Sequence, residues 1–172
     1  SGDIDFPTAL EQWLSVLSLN KDNLAEATKE ILNLVTDSFK RNKEMIKSLS
    51  DDIWIVSGGF KEVICPVVAD YGISPKHVMA NSFIYDGDRI SGCDRNSFVF
   101  QKDGKAKFIN ALELNRYTIT IGDGYTDLEV FLSGATDEFI CFTENVKRHK
   151  VIEKSRHVAS DLDKVIEIVN KI

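Results

Sequence analysis

Two carboxylates, Asp123 and Asp127, stand in a turn opened by two glycines within Ile119-Thr120-Ile121-Gly122-Asp123-Gly124-Tyr125-Thr126-Asp127. A β-rich run delivers this turn to the carboxyl edge of a sheet, where open α/β folds bind ligands. The glycines let the backbone bend sharply without a side-chain clash. Two hard oxygen ligands at this spacing suit a cation such as Mg2+, which takes one or two carboxylates and fills its shell with water and phosphate. A merely structural acidic turn is the competing reading. A dinucleotide site is not: the third glycine is missing, and an acidic loop repels a pyrophosphate.

Two further features bear on the same chemistry. Ser57, followed by Gly58 and Gly59, ends a strand and precedes a helix, so a hydroxyl and unhindered N–H groups could seat a phosphate; a plain turn explains the same three residues. Lys105 opens a helix within Lys102-Asp103-Gly104-Lys105-Ala106-Lys107, where the macrodipole disfavours a cation, although an exposed lysine is equally admissible. Together, a hydrogen-bond donor, an ammonium group and an acidic metal loop are what phosphoryl transfer requires around one phosphate.

The elements that must position these residues follow from periodicity. Residues 1–50 read as helices: Pro7 at an early helical position, then Ala9, Leu10, Trp13, Leu14 and Leu17; a second helix capped by Asp22; and a third segment with Phe39, Ile46 and Leu49. Lys40, Arg41, Lys43 and Lys47 on that segment form either a solvated face or an attractor for an anionic substrate. From residue 51 strands and helices alternate. Strands are expected at Ile53–Val56, Val78–Ala80, Tyr117–Ile121 and Phe139–Phe142. Helices are expected up to about Gly72 with a kink at Pro66 or a start nearer Cys65, through Ala106–Leu112, from near Asp127, and over Asp161–Ile172. A hairpin turns at Asp86-Gly87. The charged run Glu144–Lys150 reads as a solvated helical face. Such alternation predicts an α/β fold, a doubly wound, mainly parallel Rossmann-like sheet spanning 51–172, with residues 1–50 as a small helical cap segment.

Composition narrows the function. A chain of 172 residues with 43% hydrophobic content has enough apolar material for one core. The net charge of −6 argues against nucleic acid as a partner, since no excess of Lys and Arg exists to release phosphate counterions. Three cysteines, Cys65, Cys93 and Cys141, lie far apart and read as reduced thiols. No apolar run reaches the roughly 20 residues that span a bilayer, and no signal pattern is present, so no membrane partner and a cytoplasmic location are expected. His77, His149 and His157 show no ligand spacing.

The order and wording of four segments resemble the haloacid-dehalogenase superfamily, in its phosphoserine-phosphatase-like branch. They are Ile55-Val56-Ser57-Gly58-Gly59-Phe60, Val78-Met79-Ala80-Asn81, Gly104-Lys105-Ala106-Lys107-Phe108-Ile109, and Ile121 through Glu129. The resemblance implies an α/β core with a helical cap and Mg2+-dependent hydrolysis of a small phosphorylated metabolite through an aspartyl-phosphate. By the match, Ser57 and the Gly58 amide hold the phosphoryl oxygens and Lys105 neutralises the intermediate. Asp123 binds Mg2+, Asp127 supports that site, and Thr126 faces the substrate phosphate.

Two departures qualify the match. The family's first motif is a hydrophobic strand ending in Asp-x-Asp-x-Thr or Val. Asp3-Ile4-Asp5-Phe6-Pro7-Thr8 has only Ser1 and Gly2 ahead of it, and Pro7 stands at the Thr or Val position. Aligning Gly2, Phe6, Ala9 and Leu10 with the cap segment instead places the nucleophile strand outside this sequence. On that placement the chain alone does not turn over, and an upstream fragment or a second chain completes the sheet between Ile53–Val56 and Tyr117–Ile121. Asp3 and Asp5 remain reserve nucleophiles. Trp13 falls where phosphoserine phosphatases carry a carboxylate-binding arginine, and Trp cannot form that bidentate pair. A non-catalytic relative that keeps a phosphate or Mg2+ pocket is the alternative function.

Overall fold

The structure is a computed structural model and describes Gln12 and residues 19–172. The expectations on Asp3, Asp5, Pro7 and Trp13 lie outside those residues. The chain divides into two compact units. One holds Glu44–Lys102 with the described residues up to Val35; the other holds Thr36–Lys43 with Asp103–Ile172.

In the first unit, α1 (Lys21–Asn33) is capped by Asn20, whose Oδ1 accepts the Asn23 N–H at 2.8 Å. Asp22, the expected cap, lies in the first turn, where its charge suits the helix's positive end. β1 (Ile55–Phe60), α4 (Lys61–Ala69) and β2 (Val78–Asn81) form a βαβ unit with parallel strands. Ser57-Gly58-Gly59 is thus the distal half of a strand rather than the turn after it. The register shifts between Val56 and Phe60, where glycines accommodate the irregularity. α4 runs through Pro66 and forgoes the one bond that the proline nitrogen cannot donate.

The hairpin β3 (Phe83–Asp86) and β4 (Arg89–Cys93) turns at Gly87, whose φ of 60° is in the left-handed region glycine tolerates. Leu19 and Lys21 extend it: Ile90 N–H donates to Leu19 O at 2.9 Å and Lys21 N–H to Asp88 O at 3.0 Å. Phe60 packs on Cys93 and Phe100 and stacks on Phe83 at 3.7 Å between ring centroids.

The second unit contains α5 (Gly104–Ala111), β5 (Ile119–Gly122), α6 (Tyr125–Leu132) and β6 (Glu138–Phe142), then α7 (His149–Ile152), β7 (His157–Ala159) and α8 (Leu162–Val169). Its three strands are parallel in the order β5-β6-β7. The middle strand buries Phe139, Ile140 and Cys141 almost completely, and Leu128 and Val151 pack against Phe139 and Cys141. A near-continuous apolar run is what a parallel strand covered on both faces demands. β5 begins at Ile119 rather than Tyr117 because the Thr118 N–H is taken by the Asp137 carboxylate at 2.7 Å. Among the described residues β1 pairs only with β2, and β5 only with β6.

The expected third helix is two: α2 (Asp37–Arg41) and α3 (Lys43–Ser48). α2 belongs to the second unit and is tied into it by side chains. Ser38 Oγ donates to Glu144, Asn145 Nδ2 donates to Thr36 at 2.7 Å, and Phe39 meets Phe142 edge-on at 5.8 Å. Arg41 Nε and Asn42 Nδ2 each donate to Asp163 at 2.8 Å. Lys40 pairs with Asp37 at 3.6 Å and Lys47 with Glu44 at 3.2 Å, so these two cations of the basic cluster have local acidic partners. Among the described residues no helix is long and apolar enough to cross a membrane.

The hydrogen bond from Asn42 and the adjacent Arg41 guanidinium hold the Asp163 carboxyl below the usual carboxylate range. A depressed carboxyl contributes stability that is complete above its unfolded pKa and lost as pH falls through the folded one. Acidification below about pH 4 should therefore loosen α2, read as faster hydrogen exchange of the Phe39 and Lys40 amides after correction for intrinsic rates. Asp163→Asn should flatten that pH response; an unaltered response in the variant would assign the acid sensitivity elsewhere.

Candidate active-site loop

Lys105 reaches its place because Asp103 adopts a left-handed conformation, φ 57°, immediately before α5. The lysine is the second residue of that helix, the end where a cation is least welcome. The cost is offset by a partner. Lys105 Nζ donates to Asp127 Oδ1 at 2.6 Å, and the two side chains are only 20% and 16% exposed. Limited solvent strengthens such a pair and penalises breaking it.

Asp127 is the third residue of α6, and its other oxygen accepts the Gly124 N–H at 3.0 Å. This is half of a capping box; the reciprocal half needs a side chain that glycine lacks. Both oxygens of Asp127 are therefore engaged within the protein. Gly122 supplies the room: a Cβ there would lie 2.6 Å from the Asp127 Cβ and 2.5 Å from its Oδ2.

Asp123 differs. It sits in the turn between β5 and α6, its side chain 43% exposed, with Oδ2 accepting from Arg148 Nη1. Thr126 is exposed at the second position of α6. In β6 burial pushes the Cys141 thiol up, and the nearby Asp123 and Asp127 charges act in the same direction.

The donor set fits Mg2+ in kind. Asp123 offers carboxylate oxygen at a solvent-facing strand end, as an ion that keeps water and phosphate in its shell requires. Among the described residues no group of three or more His, Cys, Asp or Glu side chains gathers into an all-protein cage.

Ser57 and Gly58 belong to the first unit. There Ser57 Oγ accepts the Gly59 N–H at 3.0 Å, which turns the hydroxyl proton away from Gly59. A Cβ on Gly59 would meet Ile64 Cδ1 at 3.2 Å and Ser57 Oγ at 3.3 Å, so either side chain would have to give by a few tenths of an ångström to admit one. The Gly58 carbonyl accepts Asn81 Nδ2 at 2.8 Å. Asn81 is fully buried, and its Oδ1 has no hydrogen-bond partner among the described residues.

Arg148 was missed by sequence reading, as was the irregular character of its segment: residues 143–148 are not helical, and α7 starts only at His149. One signal was available. β5 and β6 are adjacent and parallel, with Gly122 opposite Cys141, so the loops that follow them share an edge. Two histidines prove satisfied: His77 stacks on Trp54 at 4.4 Å, and His157 lies 3.4 Å from the buried Glu138.

Comparison with known proteins gives the family. Residues 14–131 match the family model of haloacid dehalogenase-like hydrolases. The chain belongs to this family. It is 28% identical over 145 residues, 82% of the chain, to the chloroplastic phosphoserine phosphatase of Arabidopsis thaliana, and 26% identical over 170 residues, 96% of the chain, to the phosphoserine phosphatase of Drosophila melanogaster. It spans 49% and 62% of those relatives' lengths. A phosphoserine phosphohydrolase-like protein from Francisella tularensis subsp. tularensis SCHU S4 superposes with a TM-score of 0.83 at 29% identity, covering 98% of this chain and 79% of that one. The fold is therefore the α/β haloacid-dehalogenase fold of phosphoserine-phosphatase-like proteins.

Two substitutions probe the loop. Lys105→Met leaves the poorly solvated Asp127 carboxylate without its cation and should cost about 3 kcal/mol in urea unfolding; a change near zero would mean that solvent already carries the pair. Gly122→Ala forces Asp127 aside. It should lower stability by about 1–3 kcal/mol and release Lys105, visible as faster acylation of that amine in peptide mapping; unaltered labelling and stability would show that the loop relaxes freely.

Proposed function

We propose that this chain provides the phosphate- and Mg2+-handling residues of a phosphoserine-phosphatase-like phosphomonoesterase. The observation that carries the reading is the enclosed Lys105–Asp127 pair beside the solvent-facing Asp123 in a Gly-Asp-Gly turn. On this reading Asp123 holds Mg2+. The ion, when bound, supplies positive charge to the phosphoryl oxygens and orients them. Lys105 adds a second positive charge, and Asp127 fixes that ammonium group and the Gly124 backbone so that neither must reorganise during reaction. Thr126, at the exposed start of α6, faces the phosphate. Ser57 and the Gly58 amide hold phosphoryl oxygens.

The attacking group in this reading is an aspartate carboxylate, which takes the phosphoryl group as an aspartyl-phosphate that water then hydrolyses. Asp3 and Asp5 are the reserve candidates within these 172 residues. The substrate is a small phosphomonoester. The relatives are named for phosphoserine, whereas Trp13 at the expected arginine position offers no bidentate partner for a carboxylate, which favours a different leaving group here.

The test is release of inorganic phosphate from a panel of small phosphomonoesters with and without Mg2+. In a protein that contains the attacking aspartate, phosphate release should require Mg2+ and fall by about 100-fold or more in Asp123→Asn, whereas the 172 residues alone, with Asp3 and Asp5 only in reserve, should bind Mg2+ without turnover. Turnover that survives this substitution or needs no divalent ion sinks the reading. Binding of Mg2+ and phosphate by calorimetry with no turnover, in a protein that contains the attacking aspartate, would favour a non-catalytic relative.

A further inference from the structure

The loop's two carboxylates each carry a protein cation, and the two pairs are built differently. Lys105–Asp127 is enclosed, and the second Asp127 oxygen is tied to the Gly124 backbone. Arg148–Asp123 is open: the side chains are 49% and 43% exposed, and the contact runs from one guanidinium nitrogen, Nη1, to one oxygen, Oδ2. A single-point pair between half-exposed side chains is weak and readily exchanged. A fork-to-fork pair with the same arginine would be considerably stronger.

The segment that carries Arg148 is rooted at its other end. Thr143 N–H and Oγ1 donate to Ala159 O at 2.8 and 3.0 Å, Glu144 accepts from Ser38, and Asn145 donates to Thr36. Arg148 is the last residue before α7. Its side chain can therefore leave Asp123 without unfastening the segment. It is a long, movable cation placed on the one loop carboxylate that the backbone does not claim.

We propose that Arg148 is a resident counter-ion of the metal loop: it occupies the Asp123 carboxylate in the absence of a divalent cation and competes with Mg2+ for that oxygen. The inference rests on Asp123 being the Mg2+ ligand. It adds that the chain sets its own metal affinity, weaker than the bare carboxylate would give, through the charge on residue 148. Two cations on one carboxylate repel each other, so Mg2+ entry requires the guanidinium to swing towards solvent or towards an anion.

The test is calorimetric titration of the protein with MgCl2 alone, wild type against Arg148→Gln. Removing the competitor should tighten Mg2+ binding by about three- to tenfold. In 15N-labelled wild-type protein, the Arg148 side-chain Nε–H resonance should shift along the titration with the same midpoint. Circular dichroism establishes that the variant is folded. Arg148→Met, which keeps the apolar stem and loses the charge, repeats the comparison should glutamine perturb the segment. Equal or weaker Mg2+ affinity in the charge-free variants overturns the role of Arg148 and leaves the metal reading intact. No Mg2+ binding in either wild type or variant removes both.

Discussion

The second unit's acidic loop depends on one enclosed ion pair. Lys105 stands at a helix start that repels it, and Asp127 stands at a helix start that attracts it; the contact between them makes the first placement tolerable. Because both side chains are largely shielded, neither is free to seek solvent. The pair then dictates its surroundings. Gly122 must lack a side chain so that Asp127 can fold back, and Gly124 must present its N–H to the second carboxylate oxygen. A left-handed Asp103 must aim α5 so that its second residue arrives. Four local oddities in the sequence are thereby one constraint.

That constraint is anchored by the middle strand of the unit. β6 is buried along most of its length, so it fixes the register of β5 through four residue pairs ending at Gly122 opposite Cys141. The turn that carries Asp123 begins one residue later. β5 itself is less protected: Ile121 is 46% exposed, unusual for a residue in a parallel strand, where both faces are ordinarily covered. The loop is held from the β6 side and from α5, with β5 as the more exposed member of the sheet.

Much of this was legible in the chain. The strand-helix alternation, the hairpin at Gly87, the acidic turn and the misplaced cation Lys105 each leave a local signature, because periodicity, positive φ and helix polarity are properties of neighbouring residues. What was not legible depended on distant partners. Residues 144–150 have helix-compatible composition, yet Glu144 and Asn145 are drawn to Ser38 and Thr36 and Arg148 to Asp123, so six residues, 143–148, stay irregular. Ser57-Gly58-Gly59 reads as a turn, but its strand continues because Asn81 holds the Gly58 carbonyl from β2. β7, at three residues, is too short to show a period at all. Lys40 and Arg41 do lie on a wet face, but their acidic partners, Asp37 and Asp163, could not be read from the sequence.

The deepest gap between sequence and site lies in the two aspartates themselves. By type and spacing Asp123 and Asp127 are equivalent, and either could be a ligand. The start of α6 separates them. Residue 127 falls at the third helical position, where a carboxylate naturally reaches back to the free N–H groups, while residue 123 is left in the turn with no helical amide assigned to it. One carboxylate becomes architecture and the other remains available, and the choice is made by where a helix begins. Arg148 on the available one follows the same logic, since an open carboxylate near other negative charge gathers whatever cation can reach it.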